Sequence, residues 1–384
     1  MNFKRVPMST IRSVEAYPLK IPYVRSFVLS RGVVGRPGIP GDHLYVRIEA
    51  SDGTVGWGET RLMHTWMYET LESAYTSLVN YIAPALKGMD PFSLNLILRR
   101  LDKLLTPVVS SGQPFIKSAV ETALFDIIGR TTGQPIHRLI GGKISDYVEL
   151  SAMMSGDPEA MVDYAREMAS KGYRCFKVKI MGDPVEDVER LKVVSEAVPD
   201  ATIWADANQA YTSYSIGKLL NLIEEVHIRR IVCLEQPVPT WDYEGLKRIV
   251  LKSSIPVAVD ESMFSHYDLI KLISSNALDL IVLKLAKSGI TGNLKIAALA
   301  EAAGIDLFAS GMTESGVGFT ASVHLFSTLP IVAPIDINGP QFLESLIVDG
   351  LEFEGAKVKV PDKPGLGVKV REDKIEEYRV ELKI

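Results

Sequence analysis

Six charged residues stand at the ends of successive apolar runs from residue 177 onward. Lys177 and Lys179 flank Val178. Asp206, Glu235, Asp260 and Lys284 follow, with gaps of 29, 25 and 24 residues between those four. A gap of that size holds one strand and one helix, so the region reads as a βα repeat with one functional residue per unit. In a parallel barrel, equivalent places in successive units point at one centre, at the C-terminal ends of the strands. Three carboxylates meeting at one centre need a cation. Lysines on both flanks then suggest proton chemistry on whatever that cation holds.

A length of 384 residues exceeds one typical domain and suits a large barrel with a smaller partner. Net charge is −5 with no basic stretch, which argues against nucleic-acid binding. No apolar run reaches about 18 residues, so no membrane span is expected. The start, Met1 to Pro7, lacks an apolar signal core, and a cytoplasmic location is the expectation. The two cysteines, Cys175 and Cys233, lie in β-type runs and read as buried thiols. The six histidines form no His-x-x-x-His pair, which disfavours zinc.

Residues 11–60 read as β structure, with Ser51-Asp52-Gly53 as a hairpin turn. The Gly-, Arg- and Pro-rich stretch Tyr23–Gly41 reads as a mobile loop that closes over the site. Residues 66–140 read as helical. From 147 onward eight strands are expected: Val148–Met153, Cys175–Ile180, Thr202–Ala205, Ile231–Leu234, Pro256–Val259, Leu278–Leu285, Asp306–Ala309 and Ala333–Ile337. The expected fold is an α/β chain, a (β/α)7β TIM-like barrel with an α+β N-terminal capping domain completed by the C-terminal tail. The expected boundaries are 1–143 for the cap, 144–341 for the barrel and 342–384 for the returning segment.

A lone acid at a strand end is ordinarily a helix cap, and a lone barrel lysine a rim salt bridge. Three acids in marked turns, Asp206-Ala207-Asn208, Glu235-Gln236-Pro237 and Asp260-Glu261-Ser262, reverse that expectation. An all-carboxylate set favours a hard ion, Mg²⁺ or else Mn²⁺, with positions open for a substrate carboxylate and water. The ion would stabilise charge on the substrate oxygen. Lys179 is the expected base on one face, Lys177 its electrostatic neighbour, and Lys284 the group on the opposite face. Neighbouring ammoniums and the ion are expected to lower the lysine pKa.

Further motifs join this series. They are Gly56-Trp57-Gly58-Glu59, Lys117-Ser118-Ala119, Ala123-Leu124-Phe125-Asp126, Gly133-Gln134-Pro135, Leu139-Ile140-Gly141-Gly142 and Leu283-Lys284-Leu285-Ala286-Lys287-Ser288-Gly289. With them the chain resembles the enolase superfamily, in the branch typified by muconate lactonizing enzyme. The resemblance implies Mg²⁺-assisted removal of a proton next to a carboxylate, through a stabilised enediolate. It implies Asp206, Glu235 and Asp260 as metal ligands, with Asn208 behind them. The mandelate racemase branch uses a histidine after the seventh strand, and Phe308–Glu314 has none. Histidine-dependent sugar-acid dehydration is therefore disfavoured.

Met312-Thr313-Glu314-Ser315 and Asp336-Ile337-Asn338-Gly339-Pro340 resemble dipeptide epimerases, where an Asp-x-Asp holds the substrate ammonium. Here the second acid is Asn338, which leaves an N-substituted amino acid open. Asp336, Asn338, Glu314 and Arg31 are the expected substrate contacts, with Arg25 and Arg36 as further arginines of the loop. The expected activity is a racemase or epimerase acting on a dipeptide or amino-acid derivative, thus on a small carboxylate. Cycloisomerisation, syn-elimination and acid dehydration are the alternatives. The resemblance also implies a homo-oligomer, dimer or octamer.

Overall fold

The computed structural model describes residues 9–108 and 111–382. Met1–Pro7, read above for a signal core, and Ile384, the end of the expected tail, lie outside them.

The first layer is a three-stranded antiparallel sheet. β1 (Ile11–Ile21) pairs with β4 (Gly41–Ala50), and β4 with β5 (Val55–Leu62) across the Asp52-Gly53 turn. The stretch between β1 and β4, expected as a mobile loop over the site, carries a hairpin of β2 (Phe27–Leu29) and β3 (Gly32–Gly35). Its polar, glycine-rich composition hid the apolar residues Phe27, Leu29 and Val34, which are buried.

The helix Pro114–Thr132 lies across β5, buried nearly all round. Gly56 and Gly58 make that contact possible, because a Cβ on either would strike the helix carbonyls of Ala123 or Ala119. Between them, Trp57 N–H donates to Asp126 Oδ2 at 3.0 Å. The Gly-Trp-Gly motif is therefore a docking surface for this helix.

The barrel strands follow. β6 (Tyr147–Glu149) precedes β7 (Ala152–Met154), β8 (Cys175–Lys179), β9 (Thr202–Asp206), β10 (Ile231–Glu235), β11 (Val257–Val259), β12 (Leu280–Lys284) and β13 (Asp306–Ser310). β7 to β13 form one parallel sheet of seven neighbours in chain order. Two expected strands differ. Val148–Met153 splits, because Tyr147–Glu149 pairs with Lys357–Lys359 of the C-terminal tail while Ala152–Met154 joins the barrel. Ala333–Ile337 is not a regular strand, since Pro334 has no N–H for a ladder. It still spans the gap, with Ile335 bridged to Leu150 and Asp336 to Ser310.

The tail returns to the first layer. Val380 N–H bonds Pro18 O and Leu366 N–H bonds Asp126 Oδ1. Among the described residues, no helix is long and apolar enough to cross a membrane.

Side chains two apart on a strand share a face, and this sorts the barrel interior into storeys. Cys175, Trp204, Cys233, Ala258, Val282 and Phe308 pack together as an apolar plug. Both cysteines are free and buried. Two residues further along the same strands come Lys177, Asp206, Glu235, Asp260, Lys284 and Ser310. The plug is thus the floor on which the charged storey stands.

The cap helix grips the barrel just past Lys284. Ser118 Oγ donates to Leu285 O at 2.8 Å. Glu121 accepts from the backbone N–H of Ile290 and Thr291 and from the Thr291 hydroxyl. The chain breaks its helix at Gly289, with φ 65° and ψ −173°, a region open essentially to glycine alone. A Cβ there would also strike the Glu121 carboxylate. Gly289→Ala is therefore expected to cost about 1–3 kcal/mol in backbone strain alone. Thermal denaturation checks this, and an unchanged Tm would contradict it.

Candidate active site

β8 and β12 lie second from either end of the seven-strand arc, so Lys179 and Lys284 face each other across the barrel mouth. Between them stand Asp206 on β9, Glu235 on β10 and Asp260 one residue past β11. Lys179 pairs in register with Asp206, and Asp206 with Glu235. The Lys179 ammonium is 2.5 Å from Asp206 Oδ2, and that of Lys284 is 3.0 Å from Asp260 Oδ2. Lys177 sits below with no exposed side-chain surface, contacting Asp206 at 3.1 Å, Glu235 at 2.9 Å and Asp336 at 3.2 Å. Its ammonium lies 4.4 Å from the centre of the Trp204 ring, against the apolar plug.

Two residues not singled out from the sequence complete the cluster. Lys287 is buried and bonds Asp260 Oδ1 at 2.6 Å, Asp260 O and Val282 O. Glu261 is buried beside Asn208. The signal for Lys287 was its place three residues after Lys284, at the start of the helix that follows β12. Gln236 splints the turn after β11, its Oε1 accepting from the N–H groups of Asp260 and Ser262.

Four buried ammoniums, of Lys177, Lys179, Lys284 and Lys287, meet five buried carboxylates, of Asp206, Glu235, Asp260, Glu261 and Asp336. Burial, and then Asp206 beside it, push the Glu235 carboxyl well above the ordinary range. Burial works against ionisation of Asp260 too, but Lys284, Lys287 and Lys177 hold it down to about 2. Two of the lysines are raised instead. Burial lowers Lys284, yet Asp260, Glu235 and Glu261 outweigh it and hold the group above its usual value. Lys177 is likewise raised, by Glu235, Asp206 and Asp336 against its burial. At these two lysines the carboxylates set the sign, whereas burial lowers Lys287.

Among the described residues, no three His, Cys, Asp or Glu side chains form a ready metal cage, because ammoniums stand between these acids. The donor set still fits a hard divalent ion. Glu235 Oε2 and Asp260 Oδ2 are buried and touch ammoniums without making a hydrogen bond. An ion held by Asp206, Glu235 and Asp260 would satisfy those oxygens.

A cavity of about 20 Å³, room for one water, lies between the two lysines. Phe27 and Leu29 of the hairpin roof it with Met63 and Trp66, and Asn208, Gly311–Thr313, Asp336 and Asn338 line its sides. Each lysine has its own aromatic neighbour, Phe27 at 5.8 Å from Lys179 and Trp66 at 4.7 Å from Lys284. The hairpin is tied down by Val28 N–H to Ser155 Oγ and Ser30 Oγ to Asn208 O. Admitting a substrate therefore requires the roof to move. Trp66 also walls a larger cavity of about 960 Å³ outside.

The other expected contacts scatter. Arg31 is exposed and lines the outer cavity, away from the lysines. Arg25 lies over Tyr164 and beside Glu167, on a barrel helix. Glu314 is buried behind the wall, where it accepts the Met312 N–H. The next residue, Ser315, is held from the cap by Glu59, which accepts its N–H and hydroxyl at 2.7 Å each.

This arrangement of cap and barrel recurs in known proteins. Residues 160–374 match the family model described as enolase C-terminal domain-like. Residues 28–141 match that of the mandelate racemase/muconate lactonizing enzyme N-terminal domain. The chain belongs to the enolase superfamily, in its muconate lactonizing enzyme branch. Its relatives in that branch are isomerases of several kinds. An N-succinyl-L-Arg/Lys racemase of Bacillus cereus is 31% identical, over 96% of this chain and 98% of its own. An L-Ala-D/L-Glu epimerase of Clostridium acetobutylicum is 33% identical over 84% and 89%. A muconate cycloisomerase of Acinetobacter lwoffii is 32% identical over 96% and 95%. The crystal structure of the Bacillus cereus racemase superposes with a TM-score of 0.90, at 30% identity over 97% and 98% of the two chains. A dipeptide epimerase from Enterococcus faecalis, solved with Mg and the dipeptide L-Leu-L-Tyr, gives 0.85 at 28% identity over 94% and 99%.

Proposed function

We propose that this superfamily member is a Mg²⁺-dependent racemase of N-acylamino acids. The observation that carries the reading is the pair Lys179 and Lys284, facing one small cavity from opposite sides of three carboxylates. A carbon held between two such groups can lose a proton to one and regain it from the other. Asp206, Glu235 and Asp260 would hold the ion, which stabilises negative charge on the substrate carboxylate when bound. A solved relative of this fold carries Mg and a dipeptide, which supports that assignment.

The cavity wall points to an acylated nitrogen. Asp336 is fully engaged, by Lys177 at 3.2 Å, Ser310 Oγ at 3.1 Å and Asn338 Nδ2 at 3.0 Å. Asn338 Oδ1 and Thr313 Oγ1 are buried without partners. Neutral acceptors of this kind suit an amide N–H, whereas a free ammonium would need an unpaired carboxylate. The N-succinyl relative in the same branch agrees with this choice.

Chiral chromatography tests the reading on N-succinylamino acids, free dipeptides and cis,cis-muconate, each with Mg²⁺ and with a chelator. N-succinyl enantiomers are expected to interconvert, and the chelator to stop them. Lactone formation from muconate as the fastest reaction would contradict the assignment.

A further inference from the structure

We propose that Glu261 is a positioning residue for Lys179, acting through the side-chain amide of Asn208. This inference rests on the two-lysine reading above. Asn208 Oδ1 accepts from the Lys179 ammonium at 2.9 Å, while its Nδ2 donates to Glu261 Oε1 at 3.2 Å. The same Glu261 oxygen accepts from Gln209 Nε2 at 3.2 Å. One carboxylate oxygen therefore collects both amide NH₂ groups of two consecutive residues.

Those two residues need holding. Asn208 and Gln209 both have left-handed backbone, with φ 40° and 66°, although neither is glycine. Such a turn persists only where its surroundings fix it. Asn208 N–H bonds Asp206 Oδ1, Gln209 N–H bonds Gln236 O, and Glu261 supplies the side-chain half of the clamp. Glu261 Oε2 is buried without a partner, so every hydrogen bond the side chain makes goes to this turn.

The chemistry of an amide makes the clamp directional. A primary amide has an acceptor end and a donor end of nearly equal shape. An ammonium can only donate, so Asn208 helps Lys179 only while Oδ1 faces it. Glu261 enforces that choice, because a carboxylate accepts from the donor end. Without it the amide is free to turn its NH₂ toward the ammonium, a donor-to-donor contact that pushes Lys179 away. Lys284 makes no hydrogen bond to this turn; Glu261 acts on it through charge alone, a contribution that Glu261→Gln removes as well. The neighbours of Lys284 are Asp260, Gly311 O, the Met312 sulfur and the Trp66 ring.

A one-sided defect is the signature. The test takes the full-length protein with Mg²⁺ and each enantiomer of N-succinylphenylalanine in D₂O, following deuterium at the α-carbon by mass. Lys179→Ala identifies the enantiomer whose proton Lys179 removes. Glu261→Leu should slow exchange of that enantiomer at least about 10-fold more than the other's, as expected for a misplaced reacting group. Glu261→Gln, which keeps an acceptor for Asn208, should restore both rates. Asn208→Ala breaks the same bridge without touching the neighbour of Asp260 and should reproduce the one-sided loss, which covers a Glu261→Leu chain that does not fold. Equal losses for both enantiomers in Glu261→Leu or Asn208→Ala would overturn the inference while leaving the two-lysine reading intact. Equal losses in Lys179→Ala itself, or no exchange in the unaltered protein, would overturn that reading and this inference with it.

Discussion

Lys284→Ala should lower net racemisation by about 10³-fold, within the range that a positioned general acid or base contributes. The loss applies in both directions, because each turnover needs one base and one acid. Exchange with solvent should behave differently, since it needs only one. The enantiomer facing Lys179 should still exchange, and its mirror image should not. The fold should survive, because Lys287 remains on Asp260 Oδ1 at 2.6 Å and leaves no bare carboxylate. Lys179→Ala should give the mirror-image pattern, and the double variant should be little worse than either single one, since the two act as a unit. Near-normal racemisation by Lys284→Ala would end the two-base reading.

Lys177→Met should be the most destabilising change at the site. The ammonium is fully buried and touches Asp206, Glu235 and Asp336. Removing one partner of a buried ion pair costs about 3–5 kcal/mol, because the charges left behind are unpaired. Methionine has nearly the same length, so the volume is kept and the charge alone is lost. A divalent ion on Asp206 and Glu235 would replace part of that charge. Thermal melting should therefore show a large drop in Tm with chelator present and a smaller one with Mg²⁺. A shift no larger than that of an ordinary surface substitution, under about 0.5 kcal/mol, would show that these acids do not depend on Lys177.

The charged storey of the barrel was legible because strand periodicity is rigid. Asp206, Glu235 and Lys284 each end a strand, Asp260 directly follows one, and the i, i+2 rule puts Lys177 and Lys179 on one face. What stayed hidden was chosen by neighbours in space. Lys287 and Glu261 carry ordinary helix-start and turn residues as far as the sequence goes; only the folded chain sets them against Asp260 and Asn208. The hairpin at Phe27–Leu29 was masked by its polar flanks. Pro334 turned an expected strand into single bridges. Lys284 and Lys177 sit above their ordinary values, because Asp260 beside the first, and Glu235 and Asp206 beside the second, outweigh their burial.

The central claim is that two lysines share one α-carbon, and isotope exchange by the unaltered protein tests it most directly. A single enantiomer of an N-succinylamino acid is incubated in D₂O with Mg²⁺, and both enantiomers are recovered and weighed. The expected result is a mass gain of about one unit in the product enantiomer as it forms, abolished by a chelator. Racemised product without deuterium at its α-carbon, or loss of the substrate to a lactone or an alkene, would contradict it.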